Sequence, residues 1–506
     1  MTMHTLQDQH ILILGLGHSG LAMARWCVRE GASVTVADTR DAPPHLHALR
    51  AELPAVRFAG GGFSDELLDG EVQLVLRSPG LSPVEIASVV SAAQERGIAI
   101  GGELSLFASA LAALASTQAY TPAVLAVTGT NGKTTVTSLT GQLVERAGKS
   151  VAVAGNIGPT LLDTLAQRID ADGLPQVWVV ELSSFQLGTP GVFEPTAATV
   201  LNLSQDHLDW HGDMAAYVAA KQRIFGTGAF MILNREDPLV MEMLPVPVKV
   251  KGGRMEHRDH VTFGGDAPQR AGDFGIEVVN GMAWLVRAHD ADETRRKRGE
   301  EAEELHVQRL MPADALRIRG RHNAVNALAA LALATAAGCA LGPMLYGLRE
   351  YRGEPHRVES VGIVNEVEFF DDSKGTNVGA TVAALQGLGA ERKLVVILGG
   401  DGKGQDFSPL AGPVSRHTRM AVLIGRDAAL VRAVLERAGV ELVDAASMEE
   451  AVTKAAQAAR PGDAVLMSPA CASFDMFRDY AHRAEVFRAA VRSLANAAGV
   501  EVEGSA

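Results

Sequence analysis

The run Gly129-Thr130-Asn131-Gly132-Lys133-Thr134-Thr135 comes a few residues after the apolar stretch Ala123-Val124-Leu125. The pattern is a buried strand entering a glycine-bearing loop, then Lys-Thr, then a helix predicted from Val136 to Ala147. Such a loop aims backbone N–H groups at phosphate oxygens, and the helix N-terminus adds its partial positive charge. In that arrangement Lys133 reaches the terminal phosphates and the Thr134 hydroxyl ligates Mg²⁺, so the chemistry implied is the binding and use of ATP. A full eight-residue phosphate loop would carry glycine at position 127, where Val127 stands, but the core from Gly129 to Thr134 is intact. A glycine-rich turn that merely caps a helix is the competing reading. The order of strand, loop, Lys-Thr and helix speaks against it.

Other residues carry chemistry at strand ends. Gly15-Leu16-Gly17-His18-Ser19-Gly20 follows a first strand and Asp38 ends a second, which is the layout of a dinucleotide fingerprint. NAD binding and a plain structural turn are the alternatives. Nothing later in the chain supplies hydride chemistry, so the fingerprint is read as the site of a different phosphorylated ligand, with Ser78-Pro79-Gly80 cradling the same phosphates. Glu181 is placed to hold Mg²⁺ opposite the phosphate loop. Asp206-His207-Leu208-Asp209 sets a histidine among carboxylates, a candidate metal ligand against the commoner structural histidine, while the default for Lys221 is a solvated helix lysine. Arg357 offers a planar fork for phosphate or carboxylate. The loops Asp371–Asn377, Gly399–Lys403 and Ser468–Asp475 each follow an apolar strand. Their Lys374, Lys403 and small hydroxyl residues suit one shared site for a small anionic substrate.

These loops must be positioned by parallel sheets, because ligands bind at the carboxyl ends of parallel strands. Strands are expected at Ile11–Leu14, Ser33–Ala37, Leu74–Leu76 and Ile98–Ile100, then at Val151–Ala154, Val177–Val180, Ala198–Leu201 and Phe230–Leu233, and finally at Lys393–Leu398, Met420–Ile424 and Ala464–Met467. Helical stretches lie between them, Ala324–Ala337 among them, which implies an α/β protein. The 506 residues suggest about three domains. Breaks at Gly101-Gly102 and around Gly353 set them at 1–101, 102–353 and 354–506. A net charge of −13 argues against a nucleic-acid binder. Three cysteines without metal-type spacing fit a reducing compartment. The polar N-terminus and the short apolar run after it give neither a leader nor a membrane span, so a cytoplasmic protein is expected. The stretch 289–305 is dense in mixed charge and reads as a solvated surface insertion.

Taken in order, these motifs resemble the Mur ligases of peptidoglycan synthesis, most closely the branch that adds D-glutamate. The resemblance covers nearly the whole chain outside 289–305. It is most specific at Gly129–Thr135, Glu181–Leu187, Asp372–Asn377, Gly399–Lys403 and Ser468–Ser473. It implies a Rossmann-like first domain, a central ATPase-like domain and a Rossmann-like third domain. It implies that Gly17, His18, Ser19, Asp38, Thr39, Arg40, Ser78, Gly80 and Asn156 hold UDP-N-acetylmuramoyl-L-alanine. ATP would fall to Gly129, Thr130, Asn131, Gly132, Lys133, Thr134, Thr135, Asn323, Asn326, Arg357 and Asp372, and D-glutamate to Lys374, Thr376, Lys403, Ser473 and Tyr480. Thr134, Glu181, His207 and Lys221, the last as a carbamate, would ligate Mg²⁺, with Mn²⁺ a substitute. Lys133, His207, Lys221 and Lys374 would be catalytic, and the chain would act as a monomer. The sequence departs from the family pattern at Asp371 (for Asn), Trp210 (for Arg) and Tyr480 (for Phe). The Asp-Asn-Pro-Arg signature of the diaminopimelate adders is not present. Another Mur ligase, a folate-polyglutamate ligase and an ATP-dependent scaffold are the rival readings.

Overall fold

A computed structural model describes residues 6–249, 255–290, 305–390 and 392–500. Most of the charged stretch, residues 291–304, lies outside the described residues. Asp290 and Leu305 on either side of it are paired across two antiparallel strands.

Three sheets organise the chain. The first contains β1 (His10–Leu14), β2 (Ser33–Asp38), β3 (Arg57–Gly60), β4 (Val72–Arg77) and β5 (Ala99–Gly101), in the order β3-β2-β1-β4-β5 and parallel throughout. The second begins with β6 (Ala123–Thr128), β7 (Val151–Gly155), β8 (Val177–Glu181), β9 (Ala197–Val200) and β10 (Phe230–Asn234). A short ribbon of β11 (Val248–Lys249) and β12 (Met255–Glu256) stands apart. The second sheet continues through β13 (His260–Phe263), β14 (Phe274–Val279), β15 (Met282–Asp290) and β16 (Leu305–Pro312), giving β16-β15-β14-β13-β10-β9-β6-β8-β7. Its last two pairings, β14 with β15 and β15 with β16, are antiparallel. The third sheet holds β17 (Glu359–Val364), β18 (Val367–Asp371), β19 (Leu394–Gly399), β20 (Thr418–Ile424), β21 (Glu441–Asp444) and β22 (Ala464–Met467), in the order β17-β18-β22-β19-β20-β21, with only β17 antiparallel.

The expected strands are present, with ends extended or shifted by one to three residues. Those that escaped the sequence reading are β3, the run β11–β16, β17 and β21. The central strands are aliphatic and buried on both faces, as strands covered by helices on each side must be. One core cluster runs unbroken from Ile11 and Ile13 of the first sheet to Val124 and Ala126 of the second. The helices His18–Arg29, Glu103–Gln118 and Leu161–Asp170 form the layer between those sheets. Trp178 is fully buried in that layer, edge-on to Phe107 at 5.1 Å, and its indole N–H donates to the Tyr120 hydroxyl at 2.9 Å. Burying such a ring contributes about 2–3 kcal/mol. Arg25 and Arg29 add ion pairs to Asp163 and Asp170 across the same seam.

Candidate active site

The carboxyl ends of β6, β8 and β9 converge on the loop after Thr128. The chain turns there through Gly129 (φ +152°) and Gly132 (φ +83°), conformations open to glycine. A Cβ on Gly132 would stand 2.8 Å from Asn326 Oδ1. Asn202 splints the loop: its carbonyl accepts from the Thr130 N–H at 2.9 Å and its Oδ1 from the Asn131 N–H at 2.8 Å. The helix starts at Lys133, three residues before the predicted Val136, so Lys133, Thr134 and Thr135 form its first turn.

Two lysines share one carbonyl. Lys133 Nζ donates to Gly129 O at 2.9 Å and to Thr130 O at 2.8 Å, and Lys221 Nζ donates to the same Gly129 O at 2.8 Å and to Thr128 Oγ1 at 3.2 Å. Lys221 is 1% exposed and lies 4.8 Å over the Tyr217 ring. The solvated lysine that sequence alone would assign there is thus ruled out. Burial, and then the charge of Lys133, hold the Lys221 ammonium well below the usual lysine range against the pull of Asp206 and Glu181. Burial also lowers Lys133, with Glu181 and Asp206 opposing.

Glu181 ends β8 and is 1% exposed. Its Oε1 accepts from Asn156 Nδ2 at 2.8 Å, while its Oε2 is buried without a hydrogen-bond partner among the described residues. An orphaned carboxylate oxygen in a site that also holds the Thr134 hydroxyl fits a hard divalent cation, which takes oxygen ligands. His207 sits in the left-handed region (φ +54°), with Nε2 3.6 Å from Asp206 Oδ2 and its ring edge-on to Phe185 at 4.7 Å. Burial, reinforced by Lys133 and Lys221, lowers its pKa against Asp206, leaving a neutral imidazole with a free lone pair.

The third sheet contributes from across the cleft. Arg357 Nη2 donates to Thr134 Oγ1 at 2.5 Å. The side chains of Asn131 and Asn377 exchange hydrogen bonds at 3.1 and 3.2 Å. Asp372 accepts from Ser468 Oγ at 2.6 Å and from the Val358 N–H at 3.2 Å, and burial pushes its carboxyl up to about 7. Lys374 Nζ stands 3.6 Å over the Tyr480 ring, and burial followed by Arg357 brings its pKa down to about 8. Thr376 is half-buried in the same loop and Ser473 is buried in the loop after β22. Lys403 is exposed (φ +50°), with its backbone N–H on Asp401 Oδ1, and its ammonium has no hydrogen bond among the described residues. On the far side, Asn323 Nδ2 donates to Arg319 O, and Asn326 Nδ2 to Asn323 Oδ1 at 3.2 Å.

In the first sheet the fingerprint loop follows β1. A Cβ on Gly20 would lie 2.0 Å from Gly15 O, so only glycine lets the helix pack there. Asp38 accepts from the Leu16 N–H at 2.8 Å and from both edges of the Arg40 fork. Burial would raise its carboxyl, yet Arg40 and the Leu16 amide hold it down at about 2. Ser78 Oγ donates to Gly15 O at 2.8 Å and Ser19 Oγ to Glu103 Oε2 at 2.8 Å. Gly17, His18, Thr39 and Gly80 are at least partly exposed along this edge, and Asn156 is exposed at the end of β7 in the second sheet.

Sequence reasoning missed Arg483. Its guanidinium is 1% exposed and donates to Ser373 Oγ, Ser373 O and Cys471 O at 3.0, 2.8 and 3.1 Å. It ties the loop carrying Lys374 to the loop carrying Ser473. In sequence it is one arginine among several on a terminal helix, with no signal of burial. His356, Glu359 and Asp371 have ligand atoms within 4.8 Å of one another, but Arg488 pairs with both acids and holds the cation's place.

Comparisons with known proteins bear on the family and the fold. The family models described as Mur ligase MurD-like N-terminal domain, Mur ligase middle domain and Mur ligase glutamate ligase domain match residues 9–102, 127–334 and 356–471. A UDP-N-acetylmuramoylalanine–D-glutamate ligase of Albidiferax ferrireducens is 69% identical, with 100% of each chain covered. Its counterpart in Burkholderia multivorans is 58% identical over 97% of this chain and 98% of that one. Among solved structures, a MurF ligase of Thermotoga maritima in complex with ADP superposes with a TM-score of 0.54 at 15% identity, covering 96% of each chain. The UDP-N-acetylmuramate-alanine ligase of the same organism gives 0.53 at 19% identity, covering 96% of this chain and 100% of that chain, so these two speak for the fold alone. With identity of that order over the full length of curated relatives, and with three family models matching in succession, the chain belongs to the Mur ligase family.

Proposed function

We propose that this chain is an ATP-dependent ligase that joins D-glutamate to UDP-N-acetylmuramoyl-L-alanine, releasing ADP and phosphate. A carboxylate is a poor electrophile because its oxygen leaves badly. Phosphorylation by ATP makes that oxygen a good leaving group, and the amine of D-glutamate then displaces phosphate to form the amide. The observation that supports this reading is the approach of Arg357 and Lys374 to the Lys133–Thr134 turn, as expected if a nucleotide site and a small-anion site share one cleft. Lys133 and Arg357 stabilise charge on the transferring phosphoryl group, and a closed cleft keeps water from the acyl phosphate.

In this reading residues 1–101 hold the UDP-linked substrate along Gly17–Ser19, Asp38–Arg40, Ser78 and Gly80, and Asn156 of the central segment reaches it from the second sheet. Residues 102–353 hold ATP, and 354–506 bring D-glutamate to Lys374, Thr376, Lys403, Ser473 and Tyr480. Thr134, Glu181, His207 and Lys221 would hold Mg²⁺, whose chemistry is neutralisation of phosphate charge. For Lys221 the held-down ammonium supplies the neutral amine that reacts with CO₂, and the carbamate anion replaces repulsion from Lys133 with attraction. No helix among the described residues is long and apolar enough to cross a membrane, and the enzyme is proposed to work as a cytoplasmic monomer.

The test is phosphate release with UDP-N-acetylmuramoyl-L-alanine, ATP and Mg²⁺ in the presence of D-glutamate, L-glutamate or diaminopimelate. Release and amide product with D-glutamate alone are expected. Release with another amino acid would overturn the assigned substrate, and no stimulated release with any of them would overturn the ligase reading.

A further inference from the structure

Arg357, the third sheet's contact with the phosphate turn, is carried on a strained backbone. His356 before it stands at φ +63° and Val358 after it at φ +51°. A β-branched residue in the left-handed region is an outlier. Two left-handed residues flanking one side chain persist only where their surroundings over-determine them.

Carboxylates fix both flanks. The His356 N–H donates to Glu359 Oε2 at 2.8 Å and its Nδ1 to Asp371 Oδ2 at 2.8 Å, while the Val358 N–H donates to Asp372 Oδ1 at 3.2 Å. The His356 carbonyl accepts from the Lys374 N–H at 3.1 Å. Asp371 ends β18 with its side chain fully buried, and its Oδ1 accepts from the Ser373 N–H at 2.9 Å. Glu359 and Asp371 thus converge on one histidine, with oxygens within 4.8 Å of each other. Like charges that close repel unless a cation lies between them.

Arg488 is that cation, reaching in from the terminal helix Tyr480–Ala498. Its Nε donates to Asp371 Oδ2 at 3.2 Å and its Nη2 to Glu359 Oε2, so one fork bridges both acids. A planar guanidinium makes two such bonds in fixed geometry, which a point charge does not. Position 371 is also one where the sequence departs from its family pattern, an acid for a neutral amide, and the fork balances the added charge.

We propose that Arg488 is a positioning residue: through Glu359, Asp371 and His356 it fixes the loop that aims Arg357 at the phosphates of ATP, a role that rests on the ATP site proposed above.

Calorimetry of the full-length protein with ATP and Mg²⁺ tests it. Arg488→Met strands two like charges beside His356, and ATP affinity should fall about 10-fold. Arg357→Met alone should lose at least as much, and adding Arg488→Met to it should cost nothing further, because Arg488 acts through Arg357. Asp371→Asn in the Arg488→Met background removes one stranded charge and should recover most of the affinity. Stability to urea falls whether or not Arg488 aims anything, so affinity is the readout. Should Arg488→Met fail to fold, Arg488→Lys takes its place, with a smaller loss of affinity and the same non-additivity expected. Unchanged ATP affinity, a loss additive with that of Arg357→Met, or a loss that Asp371→Asn leaves in place would overturn the proposal while ATP binding by the wild type stands. A wild type that binds no ATP would overturn the ATP site and the proposal with it.

Discussion

Replacing Gly132 with alanine puts a methyl group where the phosphate loop has no room and the wrong handedness. The residue stands at φ +83°, where an L side chain is strained by about 1–2 kcal/mol. The new Cβ would meet Asn326 Oδ1 at 2.8 Å, and moving that amide breaks its hydrogen bond to Asn323, a further ~1 kcal/mol. The expected loss of stability is therefore about 2–3 kcal/mol. Urea unfolding of the full chain should show it as a lower midpoint at unchanged slope. Calorimetry should show ATP affinity falling while affinity for the UDP-linked substrate, held by another sheet, stays. A Gly132→Ala loss under about 0.5 kcal/mol with unchanged ATP binding would refute the reasoning, because strain and clash would both have relaxed at no cost.

Other substitutions address the remaining parts of the cleft. Arg483→Met unties the two loops of the amino-acid subsite, so KM for D-glutamate should rise about 10-fold while KM for the UDP-linked substrate holds; no change in initial-rate kinetics would make Arg483 a packing residue only. Lys374 loses its proton near pH 8 instead of 10.5, so kcat/KM for D-glutamate should fall as pH rises through about 8. Lys374→Arg should carry activity to higher pH, and an identical falling limb in both proteins would assign it elsewhere. The same shift leaves the folded protein with fewer protons than the unfolded chain between about 8 and 10.5, so this group favours folding increasingly across that window. Lys221→Ala should abolish turnover at ambient CO₂ without unfolding the chain; near-normal rates would remove the carbamate from the account.

What was legible in the sequence follows from where the information is local. Strands such as Leu394–Gly399 are unbroken aliphatic runs ending in glycine, so both the strand and the loop that carries chemistry could be read. Arg57–Gly60 is short and half-exposed, and Leu305–Pro312 alternates His306, Gln308 and Arg309 with apolar residues beside a charged stretch, so both escaped. The same division holds in the site. Glu181 and Asp372 stand at strand ends and Lys133 opens the helix after the glycine-bearing loop, so all three were picked out. Their surroundings were not: the shared Gly129 carbonyl, the Asn131–Asn377 exchange and the forks of Arg483 and Arg488 depend on neighbours dozens to hundreds of residues away. Position in the chain cannot tell a buried arginine from a solvated one.

The hydrogen bond from Arg357 to Thr134 ties the second sheet's phosphate turn to the segment that opens the third. A hydroxyl oxygen has two lone pairs, and with one given to the guanidinium it has less to offer a metal ion. In the proposed ATP site, phosphate and cation together would release this contact by giving each partner a better one: the fork would take phosphate oxygens and the hydroxyl the cation. Nucleotide entry would then be a trade of partners between the two sheets. On that reading a variant lacking the Thr134 hydroxyl should loosen the contact between the sheets more without nucleotide than with it.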